Sequence, residues 1–141
     1  MYDAASLAHL LPHRYPFLLV DRIDVVDAGK HVVGTKRLTA GEWWARGDAR
    51  EPIPAMLVLE ALAQTSGAIV RDLAPSGSAT IAYFMGADRV RIRATARAGD
   101  ELRLDVTVRQ WRRGICRTHG VASVHGDVVL TADLTTIVRP A

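Results

Sequence analysis

Residues 54–73 constrain the fold more than any other stretch of the chain. Pro54 stands where a helix begins, at the first helical position, and Pro75 stands just past where it would end. Between them Met56, Leu57, Val58, Leu59, Ala61, Leu62, Ala63, Ala68, Ile69 and Val70 are spread around the whole helical circumference. A helix that is apolar on every side is one surrounded by protein, so the rest of the chain has to supply a wrapping. A sheet is the expected wrapping, because the remainder reads as strands.

Phe17 to Val26 is rich in branched and aromatic residues and reads as a strand. Turn chemistry at Ala28-Gly29-Lys30 leads into a second extended stretch, His31 to Leu38, which suggests a hairpin. After the helix come Thr80 to Met85, Arg89 to Ala94 and Leu102 to Trp111. In the last of these Leu102, Leu104, Val106 and Val108 alternate with Arg103, Asp105, Thr107 and Arg109. Two more strands, Ile115 to Val124 and Val128 to Val138, follow turns at Arg112-Arg113-Gly114 and His125-Gly126-Asp127, so the final three form an antiparallel meander. A short helix from Ala4 to Leu11 ends at Pro12, and Ala74 to Ser78 reads as a loop. The expectation is an α+β fold, an antiparallel sheet wrapped around one long central helix.

Length and composition narrow the function. At 141 residues and 49% hydrophobic the chain is expected to form a single domain over 1–141. There is no apolar run long enough to span a membrane and no basic leader, so the reading is cytoplasmic, with no membrane. The only cysteine is Cys116, which excludes an intrachain disulfide and a cysteine-based zinc cluster; a catalytic thiol is not expected, and His9 and His13 are separated by the helix breaker Pro12. Neither metal nor cofactor is expected. Lys and Arg outnumber Asp and Glu 18 to 15, an excess too small to argue for nucleic acid, and no aromatics interleave the arginines.

Leu11-Pro12-His13-Arg14-Tyr15-Pro16-Phe17-Leu18-Leu19-Val20-Asp21-Arg22 resembles the opening signature of the (3R)-3-hydroxyacyl-acyl-carrier-protein dehydratases of bacterial fatty acid synthesis. Glu60-Ala61-Leu62-Ala63-Gln64 is similar to that family's central-helix motif, and Tyr83-Phe84-Met85-Gly86-Ala87-Asp88 to its post-helix strand. Gly99-Asp100-Glu101-Leu102 and Arg112-Arg113-Gly114-Ile115 match later parts of the pattern. The resemblance covers nearly the whole chain. It implies the hotdog fold, a homodimer or trimer of dimers with the acyl tunnel between two subunits, and a substrate held on acyl carrier protein or coenzyme A, in fatty acid or polyketide metabolism.

The resemblance also implies a catalytic histidine in the loop ahead of the central helix, and here the chain departs from it. No histidine lies between His31 and His119. Counting back from Glu60 without a gap puts Arg46 at the family's histidine position, and a one-residue deletion puts Gly47 there. In the family's reaction the imidazole takes a proton beside the thioester carbonyl while a helix carboxylic acid protonates the departing hydroxyl. Glu60 matches that acid. Gln64, one turn on, faces the same side and is a candidate to orient the carboxyl or bind substrate; Gly67 continues the stripe and leaves room for an acyl chain.

Ala55 and Met56 carry the first free N–H groups of the helix, candidates to polarise a thioester oxygen. Asp48, with Arg46 and Arg50, lies in the polar loop that replaces the histidine; it is the first candidate for a substitute base, although a flexible, solvated loop is the plainer reading. His13 belongs to the opening signature and is not the family's base. Arg89, Arg91 and Arg93 recur every second residue, which puts them on one side of a strand opposite Val90 and Ile92, suited to docking an acidic carrier. Three functions fit: a dehydratase-like lyase with an altered loop, a hotdog acyl thioesterase using Glu60, or a non-catalytic acyl-binding or partner subunit.

Overall fold

The computed structural model describes residues 1–74 and 80–140. Helix α1 spans Ala4–Leu10 and is opened by a reciprocal cap, in which Ser6 N–H donates to Asp3 Oδ1 at 2.9 Å and Asp3 N–H to Ser6 Oγ at 2.8 Å. Strands β1 (Arg22–Asp27) and β2 (His31–Arg37) form the expected hairpin, and the long helix α2 runs from Ala55 to Leu73. Strands β3 (Thr80–Ile92), β4 (Glu101–Arg112), β5 (Ile115–Val124) and β6 (Asp127–Pro140) complete the order. Among the described residues the strands make one antiparallel sheet in the order β1-β2-β4-β5-β6-β3, with α2 packed against all six. This is the α+β architecture that the apolar helix demands.

Alternation along the sheet fixes which face meets α2. Leu102, Leu104 and Val106 are wholly buried beneath the helix, with Leu62 and Ile69 of α2 equally buried above them. Each such side chain contributes about 1.5–3 kcal/mol when removed from water. The opposite face carries Arg103, Asp105 and His119 toward solvent. β4, β5 and β6 form the meander that their alternation and turns indicate.

Four local expectations are corrected. Phe17 to Val26 is not one strand, because β1 begins only at Arg22. The preceding residues are still buried at Leu19 and Val20, but Phe17 O and Leu19 N–H bond to the Gln64 side chain of α2 instead of a neighbouring strand. Thr80 to Met85 and Arg89 to Ala94 are not two strands: the Gly86-Ala87-Asp88 segment is absorbed into a single β3 through register shifts at Phe84/Gly86 and Asp88/Arg91. An extra residue in a ladder bends a strand without ending it. Pro54 caps α2 and is not its first helical residue. Finally, α2 is not enclosed on every side, since Met56 is 56% exposed and Leu59, Glu60, Ala63 and Gly67 are only partly covered. The loop expected over Ala74 to Ser78, and Pro75 with it, falls at 75–78 outside the described residues.

The helix rests on the sheet through a close approach at Gly34. A Cβ there would lie 2.5 Å from Thr65 Oγ1 and 3.0 Å from its Cγ2, on a side chain already fixed by donating to Ala61 O at 2.8 Å. Gly34→Ala should therefore destabilise the protein by about 1–3 kcal/mol in urea unfolding, through overpacking. In a Thr65→Ala background the same change should cost less; an equal cost in both backgrounds would place the clash elsewhere.

Candidate functional site

Glu60 projects from the open side of α2 into a cleft of about 1100 Å³. The cleft lies between the end of α1 with the segment after it, the exposed stripe of α2, and the edge of the sheet at Ile81, Ala82, Phe84 and Thr136. Glu60, Gln64 and Gly67 all line it, as their helical spacing requires.

Gln64 holds the site together. Its Oε1 accepts from Leu19 N–H at 2.9 Å, and its Nε2 donates both to Phe17 O at 2.8 Å and to Glu60 Oε1 at 3.0 Å. The two backbone partners fix which end of the amide is which. Glu60 Oε1 therefore faces a donor whose orientation does not depend on the carboxyl itself. Arg14 secures the other wall by donating to Leu11 O, His13 O and Ala8 O at 2.7–2.8 Å.

His13 was not singled out for chemistry by its sequence position, yet its Nε2 lies 3.3 Å from Glu60 Oε1. The two residues stand far apart in the chain, so no local spacing signals the contact. The opening signature that contains His13 is the only sequence sign of it.

Of the other candidates, only Gly67 shares the cleft. The space beside Gly67 is taken by Leu11, whose Cδ2 would be 2.7 Å from a Cβ at that position. Ala55 lines a separate cleft of about 320 Å³ with Pro52, Ile53, Val58 and Ile92, while Met56 is exposed. Asp48 lines neither cleft. Its carboxylate accepts from Arg50 N–H at 2.9 Å and from Arg50 Nε at 3.2 Å, and these bonds, the backbone one foremost, hold it below the usual carboxylate range. A carboxylate so held is a weaker base.

The loop that carries Asp48 is built, not floppy. Successive turns link Glu42 to Thr39, Ala45 to Glu42, Asp48 to Ala45 and Glu51 to Asp48, while Trp44 and Ala45 are buried. Trp43 Nε1 donates to Pro16 O at 3.2 Å. Lys36, itself buried, reaches Glu42 Oε1 at 2.8 Å and Asp21 Oδ1 at 3.4 Å. Burial opposes its charge, but the Glu42 hydrogen bond and the Asp21 and Glu42 charges outweigh it and raise Lys36 above the ordinary lysine value. Arg46 and Gly47 both take left-handed backbone, φ 51° and 79°.

The three arginines do not share one strand face. Arg89 sits in a bulge at φ 49°, where the alternation slips, and Arg93 lies beyond the end of β3. Arg89 is paired with Asp133, which His119 Nδ1 also meets at 2.7 Å, and Ile92, expected on the buried side, is 57% exposed. Cys116 is buried and its thiol is pushed up to about 11 by that burial, which keeps it protonated. No cluster of three His, Cys, Asp or Glu placed to hold a metal occurs among the described residues, and no helix there is long and apolar enough to cross a membrane.

Residues 11–133 match the model of the FabA-like domain. The chain belongs to the FabA-like family. This FabA-like chain is 41% identical over 137 residues to the 3-hydroxyacyl-[acyl-carrier-protein] dehydratase FabZ of Bacillus velezensis, covering 96% of each protein. It is 43% identical over 136 residues to the protein of the same name from Roseiflexus sp., covering 95% of this chain and 94% of that one. Among solved structures, the dehydratase heterocomplex ApeI:P from Xenorhabdus doucetiae superposes with a TM-score of 0.77 at 20% identity, over 96% of this chain and 91% of that one. A hypothetical thioesterase with coenzyme A from Streptococcus pneumoniae superposes with a TM-score of 0.69 at 14% identity, over 96% of each chain. The fold of the FabA-like chain is the hotdog fold.

Gln64→Leu should cost about 2 kcal/mol or more in urea unfolding, because it strands the buried Leu19 N–H and releases Phe17 O and Glu60. A neutral result would show that water replaces the amide.

Proposed function

We propose that the protein is a dehydratase-type lyase, a single domain over 1–141, that removes water from 3-hydroxyacyl thioesters carried by acyl carrier protein or coenzyme A in the cytoplasm. The observation that carries the reading is the placement of Glu60. Its carboxyl, 27% exposed, faces a large cleft and is oriented by Gln64, in a chain about 40% identical along its length to dehydratases named FabZ. In the reaction a base, for which Asp48 is the candidate in this chain, takes the proton from C2, the C2–H electron pair forms the C2–C3 double bond, and the C3 hydroxyl leaves as water with a proton from the helix acid. Glu60 is the group suited to give that proton.

The loop ahead of α2 carries no histidine, and this departure supports a second reading, a partner or acyl-binding subunit that retains fold and cleft without the family's base. Losing a general base slows a reaction by about 100- to 10,000-fold. Asp48, exposed and tied to Arg50, would fill that role only by a rearrangement that frees its carboxylate. Ala55 and Met56 remain candidates for polarising the thioester oxygen. Arg91 and Arg93, exposed, are the carrier-docking candidates with no acidic partner among the described contacts, whereas Arg89 is engaged by Asp133.

A dimer fits the same picture. β3 is an edge of the sheet and exposes Ile81, Tyr83, Phe84, Met85 and Ile92, while the uncovered stripe of α2 exposes Met56. An apolar strand edge of this kind calls for a partner, and a second copy of the chain is the simplest one. The wild type should sediment as a dimer or a multiple of dimers, and Met85→Lys should shift it toward monomer. A stable monomer at micromolar concentration would remove the dimer and with it a site shared between subunits.

Activity is tested by incubating the purified protein separately with 3-hydroxyacyl, enoyl and saturated acyl thioesters and following mass. Gain or loss of water supports the lyase, free acid a thioesterase, and unchanged thioesters the binding role. Glu60→Gln should lower turnover by about 100-fold or more while the fold stays intact, since the amide keeps shape but cannot donate an acidic proton. Wild-type turnover in a folded Glu60→Gln protein would exclude Glu60 from the chemistry.

A further inference from the structure

We propose that His13 is a positioning residue for Glu60, its Nε2–H joining the Gln64 amide on Oε1 so that Oε2 is the oxygen that carries and delivers the proton. The inference rests on the dehydratase-type reading of Glu60 and adds to it a second group that acts through the carboxyl.

Three observations lead there. The first is convergence: Gln64 Nε2 lies 3.0 Å from Glu60 Oε1 and His13 Nε2 lies 3.3 Å from the same atom. Contacts of this kind are often slightly long without substrate and tighten when it binds. The second is the orientation of the Gln64 amide, which Leu19 N–H and Phe17 O fix so that its NH₂ must donate. Oε1 is thereby an acceptor, and the acid's proton belongs on Oε2, which no hydrogen bond reaches among the described residues.

The third observation concerns the far side of the imidazole. His13 Nδ1 is shut away from water with no hydrogen-bond partner. A buried N–H without a partner is costlier and rarer than an unused acceptor lone pair. The neutral ring therefore leaves Nδ1 bare and puts its hydrogen on Nε2, the ring nitrogen that lies 3.3 Å from Oε1. When Oε2 releases its proton, the carboxylate left behind is met on Oε1 by the Gln64 amide already in place and by the His13 Nε2–H as that contact tightens, donors that stabilise the developing charge.

The surroundings keep His13 in this role. Arg14, its neighbour, is occupied by three backbone carbonyls, including that of His13, and His9 lines the same cleft from α1. Arg71 and Asp72 line the cleft about three turns further along α2, so Glu60 is the carboxylate next to the ring. Thr136 faces the cleft from β6 as a neutral group.

Two measurements on the full chain test the proposal. In ¹⁵N NMR of histidine-labelled protein, the neutral His13 ring should be the Nε2–H tautomer, and Glu60→Ala should move its Nε2 resonance while the buried Nδ1 keeps the tautomer unchanged. An Nδ1–H ring in the wild type, or an Nε2 resonance unmoved by Glu60→Ala, overturns the pairing. In kinetics with a 3-hydroxyacyl thioester, His13→Phe should lower kcat by about 10- to 100-fold, the loss of a hydrogen bond to a charged group, with KM little changed. His13→Gln, a donor that does not titrate, should restore part of kcat with a pH profile of altered shape. Wild-type kcat and pH profile in a folded His13→Phe protein overturn the positioning role. If the wild type converts no thioester at all, the lyase reading falls, and the response of the His13 Nε2 resonance to Glu60→Ala alone then decides whether His13 is paired with Glu60.

Discussion

The side-chain amide of Gln64 is the interaction on which the site depends. It is almost wholly buried, it replaces the strand partner that Phe17 and Leu19 lack, and it reaches one helical turn back to Glu60. One residue thus closes the chain between α1 and β1 onto the central helix and sets the carboxyl. An amide suits this because it carries a donor end and an acceptor end at a fixed separation, matched to one C=O and one N–H of the same extended segment. Any apolar residue of similar size would leave both backbone groups without this partner.

The same economy governs the loop ahead of α2. The loop lies away from regular structure, yet Trp44 and Ala45 sink into the core and Lys36 ties Glu42 and Asp21 together at its base. Its crest, from Arg46 to Arg50, is exposed and carries no histidine. These residues bear little of the packing, so the fold places few demands on their identity. Left-handed backbone at Arg46 and Gly47 makes this crest a tight turn, so a side chain introduced there is aimed by the turn and not only by its identity.

Much of this was legible in the residues themselves. The apolar girth of α2, the alternation of Leu102, Leu104 and Val106, and the turn residues between the last three strands are local patterns, and each produced the element it signals. The stripe of Glu60, Gln64 and Gly67 on one side of α2 is likewise a consequence of helical periodicity. Where the reading failed, a long-range contact had overridden a local preference. Phe17 to Val20 has the composition of a strand, but Phe17 O and Leu19 N–H bond to Gln64, and the Gly86-Ala87-Asp88 segment has the composition of a turn but is held in one strand by pairing with β6. Gly67 offers space by its lack of a side chain, but only the fold shows Leu11 filling it.

The sequence by itself determined the α+β class, the central helix, the carboxylate on it and the absence of a loop histidine, because periodicity and residue identity are properties of neighbours along the chain. Only the tertiary structure decided what surrounds that carboxylate. Bringing His13 to within 3.3 Å of Glu60, and leaving Asp48 on an exposed crest outside the cleft, required α1 and the segment after it to close over α2. That closure is set by the burial of Leu7, Leu11 and Leu19 and by the Gln64 amide, interactions between residues far apart in sequence that no local pattern encodes.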